Sequence, residues 1–298
     1  MTKQSQAENA LLATTLVWGS TFVAMKIGLA DISPVLMTSV RFVIASLFFL
    51  IVFGKRIFPL PEGAFAKGTL LGFFLFIGFI AQNIGLNYTT ASKSAFITSL
   101  MVVIVPMFQF MVQRRPPTLG NILGIGIVVG GLWLLTAPSG SEFNLGDALT
   151  LLCAVVFAYY VVYLDIASKA MSALQLTFLQ SATCAVLGVA TALGFEDIVF
   201  RPTGSMIVSV AYLTVFATIV STFVQTHFQK FTTPTRAAII FAVEPVWAST
   251  TAYMFLGESL GSAGVLGGAL ILVGMLTSEL SQKIPILNRS FATFFLVG

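Results

Sequence analysis

The sequence predicts an all-α membrane protein of ten transmembrane helices, built as two inverted five-helix repeats. Three observations lead there. Of 298 residues, 57% are hydrophobic and only 9% charged, whereas soluble domains carry about 25% charged residues. Ten apolar runs each approach the roughly 20 residues that a helix needs to cross a bilayer; they lie near 10–29, 34–53, 67–87, 92–112, 118–137, 145–164, 173–194, 205–227, 235–256 and 261–281. Finally, Thr89-Thr90-Ala91-Ser92-Lys93 returns close to half a chain-length later as Thr232-Thr233-Pro234-Thr235-Arg236, each following a Gln-bearing apolar run and opening another. An internally duplicated, strongly apolar chain is the usual mark of a secondary transporter.

The first run follows a short polar start carrying Lys3. It is too long for a secretory signal and precedes no small-residue cleavage site, so it reads as a permanent span. The runs are broad rather than alternating with period two, which argues for helices over a barrel. Runs four and nine contain Pro106 and Pro245. A proline removes a backbone donor and crowds the preceding turn, so each is expected to kink its helix, as a plain bend or as a gate that exposes carbonyls to a cavity. Runs five and ten carry Gly120-x-x-x-Gly124, Gly126-x-x-x-Gly130 and Gly264-x-x-x-Gly268, with matching Val129-Gly130 and Val273-Gly274 pairs. Small residues at that spacing permit close helix approach, within one chain or across a homodimer seam. The units are therefore residues 8–137 and 145–281, followed by a tail, 282–298, whose apolar end Phe291–Val297 is too short to span.

The net charge of +4 invites a nucleic-acid reading, but its distribution speaks of orientation. With the N-terminus in the cytoplasm, Lys3, Lys55, Arg56, Lys67, Arg114, Arg115, Lys169, Lys230, Arg236, Lys283 and Arg289 fall on that side, and Lys26, Arg41, Lys93 and Arg201 on the other. This bias favours both termini inside. Five spans per half is an odd number, which forces the halves into opposite orientations. Cys153 and Cys184 both sit inside apolar runs and read as packing residues rather than a disulfide.

Trp18-Gly19-Ser20-Thr21-Phe22-Val23-Ala24-Met25-Lys26 in the first span, Arg41-Phe42 in the second, Thr-Thr-Ala-Ser-Lys opening the fourth and Glu244-Pro245 in the ninth resemble the EamA-type branch of the drug/metabolite transporter superfamily. The resemblance runs over about residues 8–281. It implies a ten-helix exporter of amino acids or other small metabolites, similar to aromatic amino acid exporters, working by alternating access around a central cavity in the inner (cytoplasmic) membrane. The family often places an acid after a glycine at the end of both the fourth and the ninth span. Here Gly257-Glu258 keeps it in the second half, whereas the first half reads Gln113-Arg114-Arg115-Pro116.

The chemistry is expected in polar groups held at membrane depth, because such groups are costly without partners. Glu244 lies about nine residues, or roughly 14 Å, into its span and should face the bundle interior, as a carrier of a coupling proton, a partner for a substrate amine or a structural acid beside Pro245. Gln82, Asn83 and Gln225 offer neutral amides to a substrate or to neighbouring helices, Gln225 in the repeat-equivalent place of Gln82. Trp18 with Phe22, and Tyr159 with Tyr163, are aromatic pairs on the leading helices of the two halves and suit a small apolar or aromatic solute; an interfacial anchor is the other reading of Tyr163. Trp247 completes the expected cavity. His227, the sole histidine, is either a second coupling group or a packing residue. Lys93 and Arg236 open spans four and nine on opposite faces, where they either attract anions or snorkel to the interface. Arg41 sits deeper and needs a partner that the sequence does not name.

No catalytic motif, phosphate loop or dinucleotide fingerprint is present, and one histidine with two buried-type cysteines makes a metal site improbable. Neither an enzyme nor a cofactor is expected; the partners are the lipid bilayer and a small-molecule substrate. A multidrug or small-solute channel, or a non-transporting receptor, is the competing reading. The orientation is testable. Single cysteines placed in 138–146, in a background lacking Cys153 and Cys184, should react with an impermeant thiol reagent added to whole cells, whereas those in 55–62 should not; the opposite pattern would reverse the topology.

Overall fold

The computed structural model describes residues 3–114, 116–136, 143–280 and Leu287. The expected tail 282–298 apart from Leu287, and most of the loop 138–146, lie outside the described residues. Among the described residues thirteen α-helices follow one another: α1 (Lys3–Gly28), α2 (Pro34–Ile57), α3 (Ala64–Leu86), α4 (Ala91–Ser99), α5 (Met101–Gln113), α6 (Leu119–Thr136), α7 (Leu145–Ala167), α8 (Ala173–Phe195), α9 (Gly204–Tyr212), α10 (Ser221–Phe228), α11 (Pro234–Phe241), α12 (Glu244–Leu256) and α13 (Gly261–Leu280). A π-helical stretch, Leu213–Val220, fuses α9 to α10, and a 3₁₀ turn follows at Gln229–Phe231.

Counting α4–α5 and α9–α10 as single rods, eight helices of the described residues are long and apolar enough to cross a membrane, and a shorter apolar helix covers Leu119–Leu135. The run 235–256 is not one helix, because a break at Ala242–Val243 divides it into α11 and α12.

Local chemistry sets the helix ends. Asn144 and Asp147 form a reciprocal capping box at the start of α7, and Ser172 with Gln175 does the same for α8. The duplicated Thr-Thr pentad is a helix start: Thr90 accepts from the Lys93 N–H, and Thr233 accepts from the Arg236 N–H, both at 3.2 Å. The prolines do not act alike. α5 continues through Pro106, and its boundary with α4 lies earlier, at Leu100. Pro245 instead occupies the first turn of α12, where its missing N–H has no intrahelical partner to lose. The breaks at Leu100 and Val243 are offset along the chain as Thr89 is from Thr232, and so are the left-handed caps Arg114 (φ 57°) and Gly257 (φ 66°); the prolines do not share that offset.

α2 packs on α8, α3 on α7 and α8, and α1 on α12. α13 lies along α6 so closely that a Cβ on Gly124 would stand 2.6 Å from the Gly274 carbonyl oxygen, and one on Gly131 2.8 Å from that of Gly267. Asn121 Nδ2 pins the pair by donating to the Ser278 carbonyl and hydroxyl, each at 3.0 Å. Cys153 and Cys184 are free and buried. The glycines of α6 thus divide by role, since nothing lies within 4 Å of a Cβ built on Gly126 or Gly130. Gly124→Ala should destabilise the protein by about 1–3 kcal/mol through overpacking. Gly126→Ala should be neutral or slightly stabilising, as read by unfolding of both variants in one detergent.

Candidate functional site

A cavity of about 70 Å³ opens among α1, α3, α4, α5, α7, α10 and α12. α1 supplies Trp18, Thr21 and Phe22; α7 supplies Phe157, Tyr160 and Val161. Both triplets have i, i+3, i+4 spacing, which puts them on one helical face. α3 adds Leu75, Phe79 and Gln82, and α10 adds Thr222 and Gln225. Thr98 and Met101 flank the α4–α5 break, and Glu244 opens α12. Among the described residues, α6 and α13 contribute none to the lining.

The wall is aromatic, with a few polar groups. Gln82 donates to Thr98 Oγ1 at 3.3 Å. Tyr160 donates through its hydroxyl to Gln180 Oε1 at 2.8 Å, and Gln180 Nε2 donates to Thr226 Oγ1 at 3.0 Å, so this amide is held from behind the wall. Trp18 packs against Phe241 at 5.5 Å. Glu244 is buried, and its carboxylate makes no hydrogen bond or ion pair with a described residue. It sits in the first turn of α12, where unpaired backbone N–H groups favour negative charge. Gly19 brings α1 against this turn: a Cβ there would lie 2.9 Å from the Glu244 carbonyl oxygen.

Of the residues expected from sequence, Trp18, Gln82, Gln225 and Glu244 meet in this cavity. Asn83 faces α2, donating to Thr38 Oγ1 at 2.7 Å. Tyr159 and Tyr163 stack on each other at 6.1 Å and, with Phe74 and Phe108 around Tyr159, form a separate cluster between α3, α5 and α7. His227 lies among Phe223, Phe228 and Phe231, away from the lining. Trp247 is 40% exposed and outside the lining, with its ring beside Gly19 of α1. Phe157 and Tyr160 were missed, although a signal existed: Trp18, Thr21 and Phe22 recur in the second half as Phe157, Tyr160 and Val161, all three at one constant offset. Phe79, Gln82 and Met101 likewise precede Thr222, Gln225 and Glu244 by the offset that separates Thr89 from Thr232.

Two ion pairs tie the helices at opposite ends of the bundle. At one end Lys93 of α4 meets Asp147 of α7 at 2.7 Å, with side-chain exposures of 7% and 0%. Thr89 Oγ1 also donates to Asp147, Lys26 Nζ donates to the Leu86 and Thr89 carbonyls, and Glu258 accepts the Ala91 and Ser92 N–H groups and the Ser92 hydroxyl, each at 2.9 Å. Lys93 therefore neither snorkels nor stands open to solutes. At the other end Arg236 of α11 meets Glu8 of α1 at 3.0 Å, with exposures of 49% and 35%.

The arrangement is that of a multi-pass helical membrane protein with a cavity between its helices, the architecture of a membrane transporter. The chain belongs to the EamA-like transporter family, whose model matches residues 7–137 and again 144–279. It is 32% identical over 279 residues to an uncharacterized transporter of Archaeoglobus fulgidus, covering 93% of this chain and 87% of the relative. It is 25% identical over 280 residues to the uncharacterized inner membrane transporter YedA of Escherichia coli K12, covering 89% of each. A solved crystal structure shares the fold with a TM-score of 0.68 at 19% identity, over 93% of this chain and 97% of that one.

The two ion pairs should differ in weight. Lys93→Met leaves a buried carboxylate without its cation and should cost about 3–5 kcal/mol. Arg236→Met should cost no more than about 1 kcal/mol. Unfolding of the two variants side by side in detergent provides the comparison.

Proposed function

We propose that this protein is a secondary transporter of ten spans, the ninth made by joining α11 to α12 across their break, with residues 8–137 and 145–281 as inverted five-helix repeats. In this reading it exports small metabolites, amino acids including aromatic ones foremost, across the inner membrane by alternating access, with both termini cytoplasmic. The observation that carries it is the matched lining of the cavity by the two halves at constant offsets along the chain. Two halves that contribute equivalent walls to one central site are what alternating access by rocking requires.

The ion pairs support the same reading. Each crosses between halves, Lys93 to Asp147 and Arg236 to Glu8. Their members correspond as well: Arg236 follows Lys93 by the offset of the Thr-Thr pentads, and Asp147 follows Glu8 by the offset that carries Trp18 to Phe157. The buried, many-bonded Lys93 end corresponds to a sealed mouth, and the solvated Arg236 end to the mouth through which the cavity fills. Exchange of these roles between the two ends would deliver the solute. The aromatic wall suits an apolar body, and the amides of Gln82 and Gln225 with the carboxylate of Glu244 suit an amine. Glu244 is the one carboxylate among the described lining residues, and His227 lies off the lining; the drive is a proton gradient through Glu244 or the substrate's own gradient.

Reconstituted into proteoliposomes, the protein should show saturable flux and counterflow of aromatic amino acids. Unsaturated flux would indicate a pore, and the absence of flux for every small metabolite tried would remove the reading. Glu244→Gln, with folding preserved, should alter the pH dependence of flux. If flux is unchanged at every pH, Glu244 is a structural residue beside Pro245 and the carrier is a facilitator.

A further inference from the structure

Arg41 is the largest fully buried side chain of the described residues, 1% exposed about a third of the way along α2. A cation in such a place normally meets a carboxylate, since desolvating it unpaired costs several kcal/mol. Among the described residues Arg41 meets none. Its Nε and Nη2 donate to Thr218 Oγ1 at 3.3 and 3.2 Å, long contacts to a neutral hydroxyl that already donates to the Leu213 carbonyl. Its guanidinium carbon lies 5.0 Å from the centre of the Phe79 ring. Nη1 is buried with no hydrogen-bond partner.

Of its neighbours Phe79 belongs to the cavity wall, whereas Thr218 and Phe42, whose ring centre is 6.0 Å from the guanidinium carbon, are not among the lining residues. Thr218 stands on the same helical stripe as the lining residues Thr222 and Gln225. The guanidinium thus lies directly behind the wall, with one aromatic ring between it and the solute. In the other half the corresponding place belongs to Gln180 of α8, which follows Arg41 by the same offset that carries Trp18 to Phe157. It too reaches the back of the wall, at Tyr160. There the group is neutral and both ends of its amide are bonded. One half therefore carries a satisfied amide, and the other an unneutralised cation with a free donor.

We propose that Arg41 is an anion subsite of the cavity, receiving the carboxylate of an amphipathic substrate when the Phe79 ring turns aside. Resting on the transporter reading above, this narrows the substrate class. With Glu244 across the cavity as the partner of an amine, the site suits a zwitterion with an apolar body, and a carboxylate alone in preference to an amine alone at the Arg41 side. A charge-assisted bond between Arg and carboxylate is also the interaction that would make the buried cation favourable, and only in the loaded carrier.

The test uses three solutes with the same phenyl body in counterflow across proteoliposomes held at zero membrane potential: phenylalanine, 3-phenylpropionate and phenethylamine. Arg41→Gln should lower the specificity for phenylalanine and 3-phenylpropionate by about tenfold or more, the loss of one charged hydrogen bond, and leave phenethylamine within about twofold. Thr218→Val removes the hydroxyl that holds the guanidinium but not the charge, and should leave the discrimination in place. Equal losses for all three solutes in both variants would make Arg41 a pin for the π-helical stretch and overturn the proposal. So would wild-type protein that moves phenethylamine but neither carboxylate, a measurement that holds even where Arg41→Gln does not fold. Absence of flux for all three solutes in the wild type would instead remove the transporter reading itself for this class of solute.

Discussion

The structure depends on one constraint: within hydrocarbon, every polar group must find its partner inside the protein. Each architectural feature answers it. The helix breaks at Leu100 and Val243 are placed beside the cavity, whose lining includes the adjoining Met101 and Glu244. The start of α4 is closed by its own Thr90 and by the Glu258 carboxylate. The start of α2 is closed in the same manner by Glu196, which accepts from the Val35 and Leu36 N–H groups and from the Ser33 hydroxyl. These carboxylates come from the opposite half of the chain, so satisfying the backbone also joins the halves.

The same rule separates structural from functional polarity. Asp147 accepts from Lys93, Thr89 and Asn144 and has little capacity left for a ligand. Gln180 has both ends of its amide bonded, to Tyr160 and to Thr226. Glu244 and Arg41 are different, for they are ionisable groups at depth whose bonding is incomplete. Their energetic cost must be met by the function they serve, which is why the proposed mechanism and the proposed substrate chemistry rest on these two residues. The molecule is asymmetric where that matters: Met101 stands in the first half where Glu244 stands in the second, and Gln180 in the second where Arg41 stands in the first.

Much of this was legible before any coordinates. Membrane helices, the broad helix boundaries and the transporter class follow from hydrophobic run length and from the repeated Thr-Thr pentad, because both reflect local physics: the length of a helix in lipid and the capping of its start. Of the candidate site, Trp18, Gln82, Gln225 and Glu244 were found because each is a polar or amphipathic residue deep in an apolar run. Tyr159 and Tyr163 were chosen on a helical spacing that defines a face without saying where the face points. The repeat offset would have selected Phe157 and Tyr160, since they occupy the places of Trp18 and Thr21.

What the sequence determined by itself is therefore the membrane-helical character, the family and the polar inventory. What only the tertiary structure decided is direction and partnership. It turned Tyr159, Trp247 and His227 away from the cavity, moved the break of the fourth span from Pro106 to Leu100, paired Lys93 with Asp147 and left Arg41 without a carboxylate. The physical reason is that helix formation is local, whereas a side chain's environment is set by rotation and crossing of helices distant in sequence. Arg41 and Thr218 meet across 177 residues of chain, a contact that close packing of α2 against the π-helical stretch creates and that no local pattern encodes.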